Sequence, residues 1–255
     1  MILAKNLIKS FGDQQIIKDV TIEFETGKTN LVIGRSGSGK TVLLKMLVGL
    51  IQPNSGKILY DGEDFYELEK KELLALRMRV GMLFQGSALF DSMTVEQNIR
   101  FPLDMFTKST RAEKDKRVNY CLERVGLSGN NKKFPSEVSG GMQKRVGIAR
   151  AIVLQPSYLF CDEPNSGLDP KTALLIDELI HGITEENNIT TIINTHDMNS
   201  VMEIGETVSF LSNGVLAWRG SKSDILKSDH DELHDFIFAS PFIQKLLDEA
   251  NMTPP

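Results

Sequence analysis

Very little in this sequence marks a secreted, membrane-embedded or nucleic-acid-binding chain. Cysteine is scarce: Cys121 and Cys161 are the only two, and they show neither metal-ligand spacing nor a disulfide framework, which fits a reducing compartment. Long hydrophobic runs are missing as well, none approaching the roughly 18 residues that a membrane-spanning helix needs. The opening residues MILAKNLIKSFG put Lys5 and Lys9 where the core of a signal peptide must be apolar, so secretion by that route is not expected. Basic excess is absent too. With 29 Lys and Arg against 34 Asp and Glu the formal net charge is −5, so the clustered positive surface that binds nucleic acid is not expected, and no nucleic-acid partner with it. There is no internal repeat and no low-complexity segment. A chain soluble by itself is expected, and any membrane role would come through a partner.

What is present is enough for a large core: 255 residues, 41% of them hydrophobic, can hold one large domain or two small ones. Short strands are expected at Ile2 to Ile8 and Ile17 to Phe24, where VTIEF alternates apolar and polar side chains. The apolar run from Asn30 to Ile33 is a third, and TVLLKMLVGLI after it has the length and apolarity of a buried helix. KILYDGED returns as a strand after the turn Pro53 to Gly56. A charged helix from Lys70 to Arg79 precedes the apolar run Val80 to Phe84, and Thr94 to Leu127 reads as helical. Strands are expected again at Ser157 to Cys161, Thr190 to Asn194 and Thr207 to Leu211, with the amphipathic segment KTALLIDELIHGITEEN between the first two. Such alternation implies an α/β chain with a parallel sheet covered by helices, interrupted by a helical insertion between about Gln85 and Gln155.

Three segments carry chemistry. GRSGSGKT, Gly34 to Thr41, lies between an apolar strand and a helix, the context in which this pattern is a phosphate cradle. Gly34, Gly37 and Gly39, with Arg35, Ser36 and Ser38 between them, let the backbone wrap the β- and γ-phosphates. Lys40 brings a cation to them, and Thr41 can ligate Mg²⁺. The strand YLFCDE ends in two adjacent carboxylates, Asp162 and Glu163, which would repel unless a metal or a proton resolves them. With Mg²⁺ and ATP on the glycine loop, Asp162 serves as the metal's carboxylate and Glu163 as the base that polarises the attacking water. The third segment, VSGGMQKR followed by VGIARAI, sets Ser139, Gly140 and Gly141 at a helix start, a second anion-binding arrangement. Lys144 and Arg145 in the first turns of that helix are read as solvated. Cys161 is read as a small buried hydrophobe, and His181, His230 and His234 as exposed helix residues.

These motifs, in this order from Phe11 to about Leu226, resemble the ATP-binding subunits of ABC transporters. VSGGM is similar to the signature motif LSGGQ, with Val138 for Leu and Met142 for Gln. The resemblance implies a P-loop NTPase (RecA-like) core with an N-terminal antiparallel β subdomain and an inserted α-helical subdomain. It implies an ATPase domain over residues 1–227, its sheet core at 1–84 and 156–227, its helical subdomain at 85–155, and a C-terminal helical extension at 228–255. SGLDP, Ser166 to Pro170, corresponds to the D-loop, and Gln85 to the Q-loop glutamine that joins Thr41 and Asp162 at the metal. His196 follows the strand TTIINT in the place of the switch histidine, a strand end at which α/β sheets hold ligands. Phe11 takes the place of the aromatic residue that stacks on adenine. Such domains pair head to tail, so Ser139, Gly140 and Gly141 of one copy would cap the γ-phosphate held by the other, and ATP and Mg²⁺ are the cofactors implied.

The segment MLFQGSALFDSMTVEQNI, Met82 to Ile99, is expected to expose Ala88, Leu89, Phe90 and Met93, where this family docks its membrane permease. Its wording, with Met142, is most similar to the MlaF-like ATPases. That implies phospholipid transport between membranes with an MlaE-type permease, an MCE-type lipid-binding protein and an accessory subunit, at the cytoplasmic face of the inner membrane. Amino-acid, metal or lipoprotein-releasing systems are the alternative. A non-transport ABC protein is a third reading, disfavoured because the stretch from Lys40 to Ser139 is too short for a long coiled coil and holds one cysteine, Cys121. Ser240 and Pro241 are expected to start a last helix with Phe242, Ile243, Leu246 and Leu247 in one stripe, clasping a partner.

Overall fold

The computed structural model describes residues 1–225 and 227–238, and the helix expected from Ser240 lies outside them. The chain divides into two compact units, one of Met1–Glu25, Thr29–Tyr66 and the described residues from Asn194 on, the other of Thr26–Lys28 and Glu67–Ile193.

In the first unit, β1 (Ile2–Phe11), β2 (Gln14–Phe24), β4 (Ser55–Tyr60) and β5 (Glu63–Asp64) form an antiparallel sheet in the order β2-β1-β4-β5. Its register is reset by two left-handed residues, Asn6 at φ 50° and Asp19 at φ 59°, whose side chains bond each other at 2.9 Å. The resulting shift between Ala4 and Leu7 lets two positions three residues apart share the buried face, where a plain strand would put them on opposite faces. Beside this sheet in sequence, β3 (Thr29–Ile33) pairs in parallel with β9 (Thr207–Ser212), and β10 (Val215–Gly220) adds to β9 antiparallel. β10 is a strand that the alternation reading passed over. Its signal was the hairpin pair Asn213-Gly214, both at positive φ (48° and 82°). The unit also holds α1 (Lys40–Leu47), α7 (Met198–Ile204), α8 (Lys222–Ile225) and α9 (Asp231–Phe238).

In the second unit, β6 (Val80–Leu83) and β7 (Tyr158–Asp162) run parallel, and β8 (Thr190–Thr195), of which Thr190 to Ile193 belong to this unit, follows after α6 (Pro170–Asn187). α2 (Lys70–Met78) leads into β6, and α3 (Val95–Phe106), α4 (Arg111–Arg124) and α5 (Gly140–Ile152) lie between β6 and β7 in the chain. Thr94 and Thr110 start α3 and α4 with reciprocal capping boxes to Gln97 and Glu113, so both helix starts are fixed locally. Among the described residues no helix is long and apolar enough to cross a membrane.

The histidines differ from expectation. His181 is half-buried beside Glu185, and His230 precedes α9, where its Nδ1 accepts from Leu233 N at 3.3 Å and its ring meets Phe210 edge-on. His234 is also half-buried, with Nε2 inside the fold. Helix amphipathicity alone does not reveal which side of a short terminal helix is covered.

Both cysteines are wholly buried, and neither is in a disulfide. Burial pushes the Cys121 thiol up to about 11 despite the nearby Arg117 charge, and pushes Cys161 higher still, with Asp177 adding to it. Neither thiol is therefore expected to react with a water-soluble aromatic disulfide at pH 8 in the folded protein, while both react in denaturant. Rapid labelling of the native chain would contradict this packing.

Candidate active site

In the first unit, β3 is buried along its whole length and ends at Gly34. Gly34 has φ 151°, and a Cβ there would stand 2.2 Å from the Leu211 carbonyl and 2.8 Å from Ser38 Oγ. At the other end of the loop Gly39 has φ 106° and caps α1, and its Cβ would meet Ile17 Cδ1 at 2.7 Å. Glycine is thus required at both ends for reasons of conformation and of space. Between them Arg35, Ser36 and Gly37 are exposed, while Ser38 is buried with no hydrogen-bond partner for its Oγ. The first turn of α1 has no side-chain cap, and Lys40 Nζ donates to the carbonyls of Gly34 at 2.8 Å and Arg35 at 3.2 Å. An uncapped helix start, an unpaired buried hydroxyl and an ammonium folded over the loop together suit a bound phosphate chain. Thr41 is half-buried on the first turn. Phe11 is 49% exposed at the end of β1, with Lys9 Nζ 5.1 Å from its ring centre, and His196 is exposed between β8 and α7.

In the second unit, Asp162 closes β7 and is buried; Glu163 follows, half-buried, in the left-handed region at φ 49°. Its carbonyl accepts from Ser166 N at 3.2 Å, closing the turn into the D-loop segment. Asp169 then caps α6, accepting from Thr172 N at 3.0 Å and Thr172 Oγ1 at 2.6 Å, and these bonds lower its carboxyl pKa. Ser139 caps α5, accepting from Met142 N at 3.3 Å; Ser139 and Gly140 are exposed, while a Cβ on Gly141 would press on Thr172 Cγ2 at 2.7 Å. Gln85 is exposed just after β6. Of the apolar residues beyond it, Ala88 and Phe90 are exposed and Leu89 and Met93 half-buried, and the Phe90 ring meets that of Phe101 at 4.9 Å with the planes tilted by 54°.

Three residues that hold this segment were not singled out from the sequence as doing so. Asn98, wholly buried on α3, donates to the carbonyls of Phe90, Met93 and Thr94, each at 3.1 Å, and accepts from Phe90 N at 2.8 Å. Arg150 donates to the carbonyls of Ser87 at 2.6 Å and Ala88 at 2.7 Å. Lys144, expected in solvent, is only 5% exposed. Its Nζ donates to the Gln85 carbonyl and lies 3.5 Å from the Glu163 carbonyl. Burial lowers its pKa, against the opposing pull of Cys161, Glu163 and Asp162. Arg145 is half-buried and donates to the Val125 carbonyl at the end of α4. The signal available was a lysine one turn into a helix whose continuation, VGIARAI, is apolar.

A family profile described as ABC transporter matches residues 17–166. The chain belongs to the ABC transporter family. It is 42% identical over 233 residues to a probable ribonucleotide transport ATP-binding protein of Mycobacterium leprae, covering 91% of this chain and 67% of that one. A methionine import ATP-binding protein of Carboxydothermus hydrogenoformans is 41% identical over 228 residues, 88% of this chain and 67% of that one. The chain spans about two thirds of the length of such relatives, 64% for the Mycobacterium tuberculosis counterpart. Among solved structures it matches the ATP-binding cassette MJ0796, in a dimeric post-hydrolysis state bound to ADP and Pi, with TM-score 0.79 and 30% identity over 87% of this chain and 99% of that one. Another dimeric structure of MJ0796 gives TM-score 0.80. The mixed sheets described above are those of a P-loop NTPase cassette, and this cassette binds and hydrolyses ATP.

Proposed function

We propose that this cassette drives a membrane permease as a homodimer, each ATP being held by the Gly34–Thr41 loop of one copy and the Ser139–Gly141 turn of the other. The observation that carries the reading is the construction of the loop: a buried Ser38 hydroxyl without a partner, between two glycines whose positions admit no Cβ. Phe11 stacks on the adenine, and Lys40 turns from the loop carbonyls to the phosphates. Thr41 of the first unit and Asp162 and Gln85 of the second would hold Mg²⁺, whose charge would offset that of the phosphates; one carboxylate beside neutral oxygens suits a magnesium ion that also binds phosphate. Glu163 takes the proton of the attacking water, and His196 contacts the γ-phosphate. Residues 85–155 form the helical subdomain that faces the permease. Exposed Phe90 (41%) and, at the end of α3, Met105 (62%) and Phe106 (40%) are the large apolar side chains this segment offers a partner. Residues 1–84 and 156–227 form the sheet core, and 228–255 a C-terminal extension.

The transported molecule is read as a phospholipid, carried with an MlaE-type permease, an MCE-type protein and an accessory subunit at the cytoplasmic face of the membrane. The wording of Met82 to Ile99 and Met142 in the signature support it. Relatives named for ribonucleotide transport and methionine import make those substrate classes the alternative. The test is capture of the full chain from its native membranes in mild detergent, with mass spectrometry of co-purifying proteins and bound lipid. A permease with an MCE-type protein and phospholipid is the expected result. A permease of another class would overturn the lipid reading alone, and no membrane partner would overturn transport.

A further inference from the structure

α5 begins at the Ser139 turn, and one side of it does something separate from presenting that turn. Lys144, Gly147 and Arg150 step along the helix at three-residue spacing, and all three meet the chain that follows β6. Lys144 Nζ donates to the Gln85 carbonyl; Gly147 leaves a Cβ only 2.7 Å from Leu83 Cδ1 and 3.5 Å from Ser87 Cβ. Arg150 bonds the carbonyls of Ser87 and Ala88. The chain so gripped is not relaxed: Ser87 and Ala88 lie at φ 60° and 47°. Residues with a Cβ stay in that region only where their surroundings hold them. Glu163, at φ 49°, is in the same condition, and its carbonyl is 3.5 Å from the same ammonium.

A buried ammonium is costly to strip of its water, and a lysine needed only for packing would be replaced at lower cost by an apolar residue. Here its proton donors face two main-chain carbonyls, those of Gln85 and Glu163, two of the residues assigned to the reaction in this unit. We propose that Lys144 is a positioning residue for ATP hydrolysis, fixing the main chains of Gln85 and Glu163 to the helix that carries the Ser139 turn. This rests on the reading of Gln85 and Glu163 given under Proposed function. Movement of that helix when its turn meets a γ-phosphate is then transmitted to the base and to the Gln85 loop together.

The test compares the full wild-type chain with Lys144→Met, which keeps length and apolar bulk but has no donor, and with Lys144→Arg, which restores one. Steady-state ATPase rates, titration with a fluorescent ATP analogue and thermal unfolding are measured on each. A displaced base loses rate without losing ground-state binding, so kcat of the Met variant should fall by about 10-fold or more with KM and nucleotide affinity within about twofold. The Arg variant should recover most of that loss. A folded Met variant with wild-type kcat overturns the proposal. So does a loss shared equally by kcat, affinity and Tm that Arg does not rescue, because that is a packing effect. If the Met variant does not fold, Lys144→Gln, a shorter neutral donor, should show an intermediate kcat at unchanged KM, and a wild-type kcat there overturns the proposal equally. An inactive wild type would instead remove the ATPase reading beneath it.

Discussion

Glu163→Gln is expected to bind ATP as the wild type does and to lose steady-state turnover by about 10²-fold or more, the scale of a positioned base. The amide has the same shape as the carboxyl, so the turn is preserved: the main-chain bond from Ser166 N to the Glu163 carbonyl at 3.2 Å does not involve the side chain. Left-handed backbone at φ 49° is no harder for glutamine than for glutamate. The loss should therefore appear in kcat and not in folding or affinity. ATP left uncleaved should hold the dimer closed, which light scattering with and without ATP detects. Normal turnover in this variant would remove Glu163 as the base.

Ser139→Arg should leave ATP binding to the single chain within about twofold and abolish ATP-dependent pairing, because a long side chain would stand where the partner's γ-phosphate has to enter. Two effects must be separated. Ser139 also caps α5 through Met142 N at 3.3 Å, and loss of such a cap costs about 0.5–2 kcal/mol. Ser139→Ala removes the cap without the bulk and serves as the control: it should lower Tm as the Arg variant does yet still pair. Both are best made in the Glu163→Gln background, where the closed dimer accumulates. A Ser139→Arg chain that pairs as fully as its Ala control would refute the two-sided site.

The legible parts of this protein are those whose geometry closes within a few residues. GRSGSGKT between an apolar strand and a helix needs no distant contact to be read, since glycine at Gly34 and Gly39 is dictated by backbone that only glycine adopts comfortably. The same holds for the start of α5 at Ser139, where one side chain bonds the amide three residues on, and for the paired acids closing β7. Strand and helix ends read from periodicity fall within a few residues of the observed ones in β6, β7, β8 and α2. What was misplaced was a face. Lys144 sits in the polar run Gln143-Lys144-Arg145, which periodicity assigns to solvent, and yet it points at carbonyls contributed by residues 59 and 19 positions away.

By itself, then, the sequence determined the glycine loop from Gly34 to Gly39, the helix start at Ser139 and, β10 apart, most of the order of strands and helices, because each is a local consequence of glycine freedom, hydroxyl reach and hydrophobic period. Only the tertiary structure decided that Asn98, Lys144 and Arg150 hold the chain after β6 from within. Which polar side chains on a helix are turned inward depends on where the other ends of their hydrogen bonds come to rest, and folding alone brings those together.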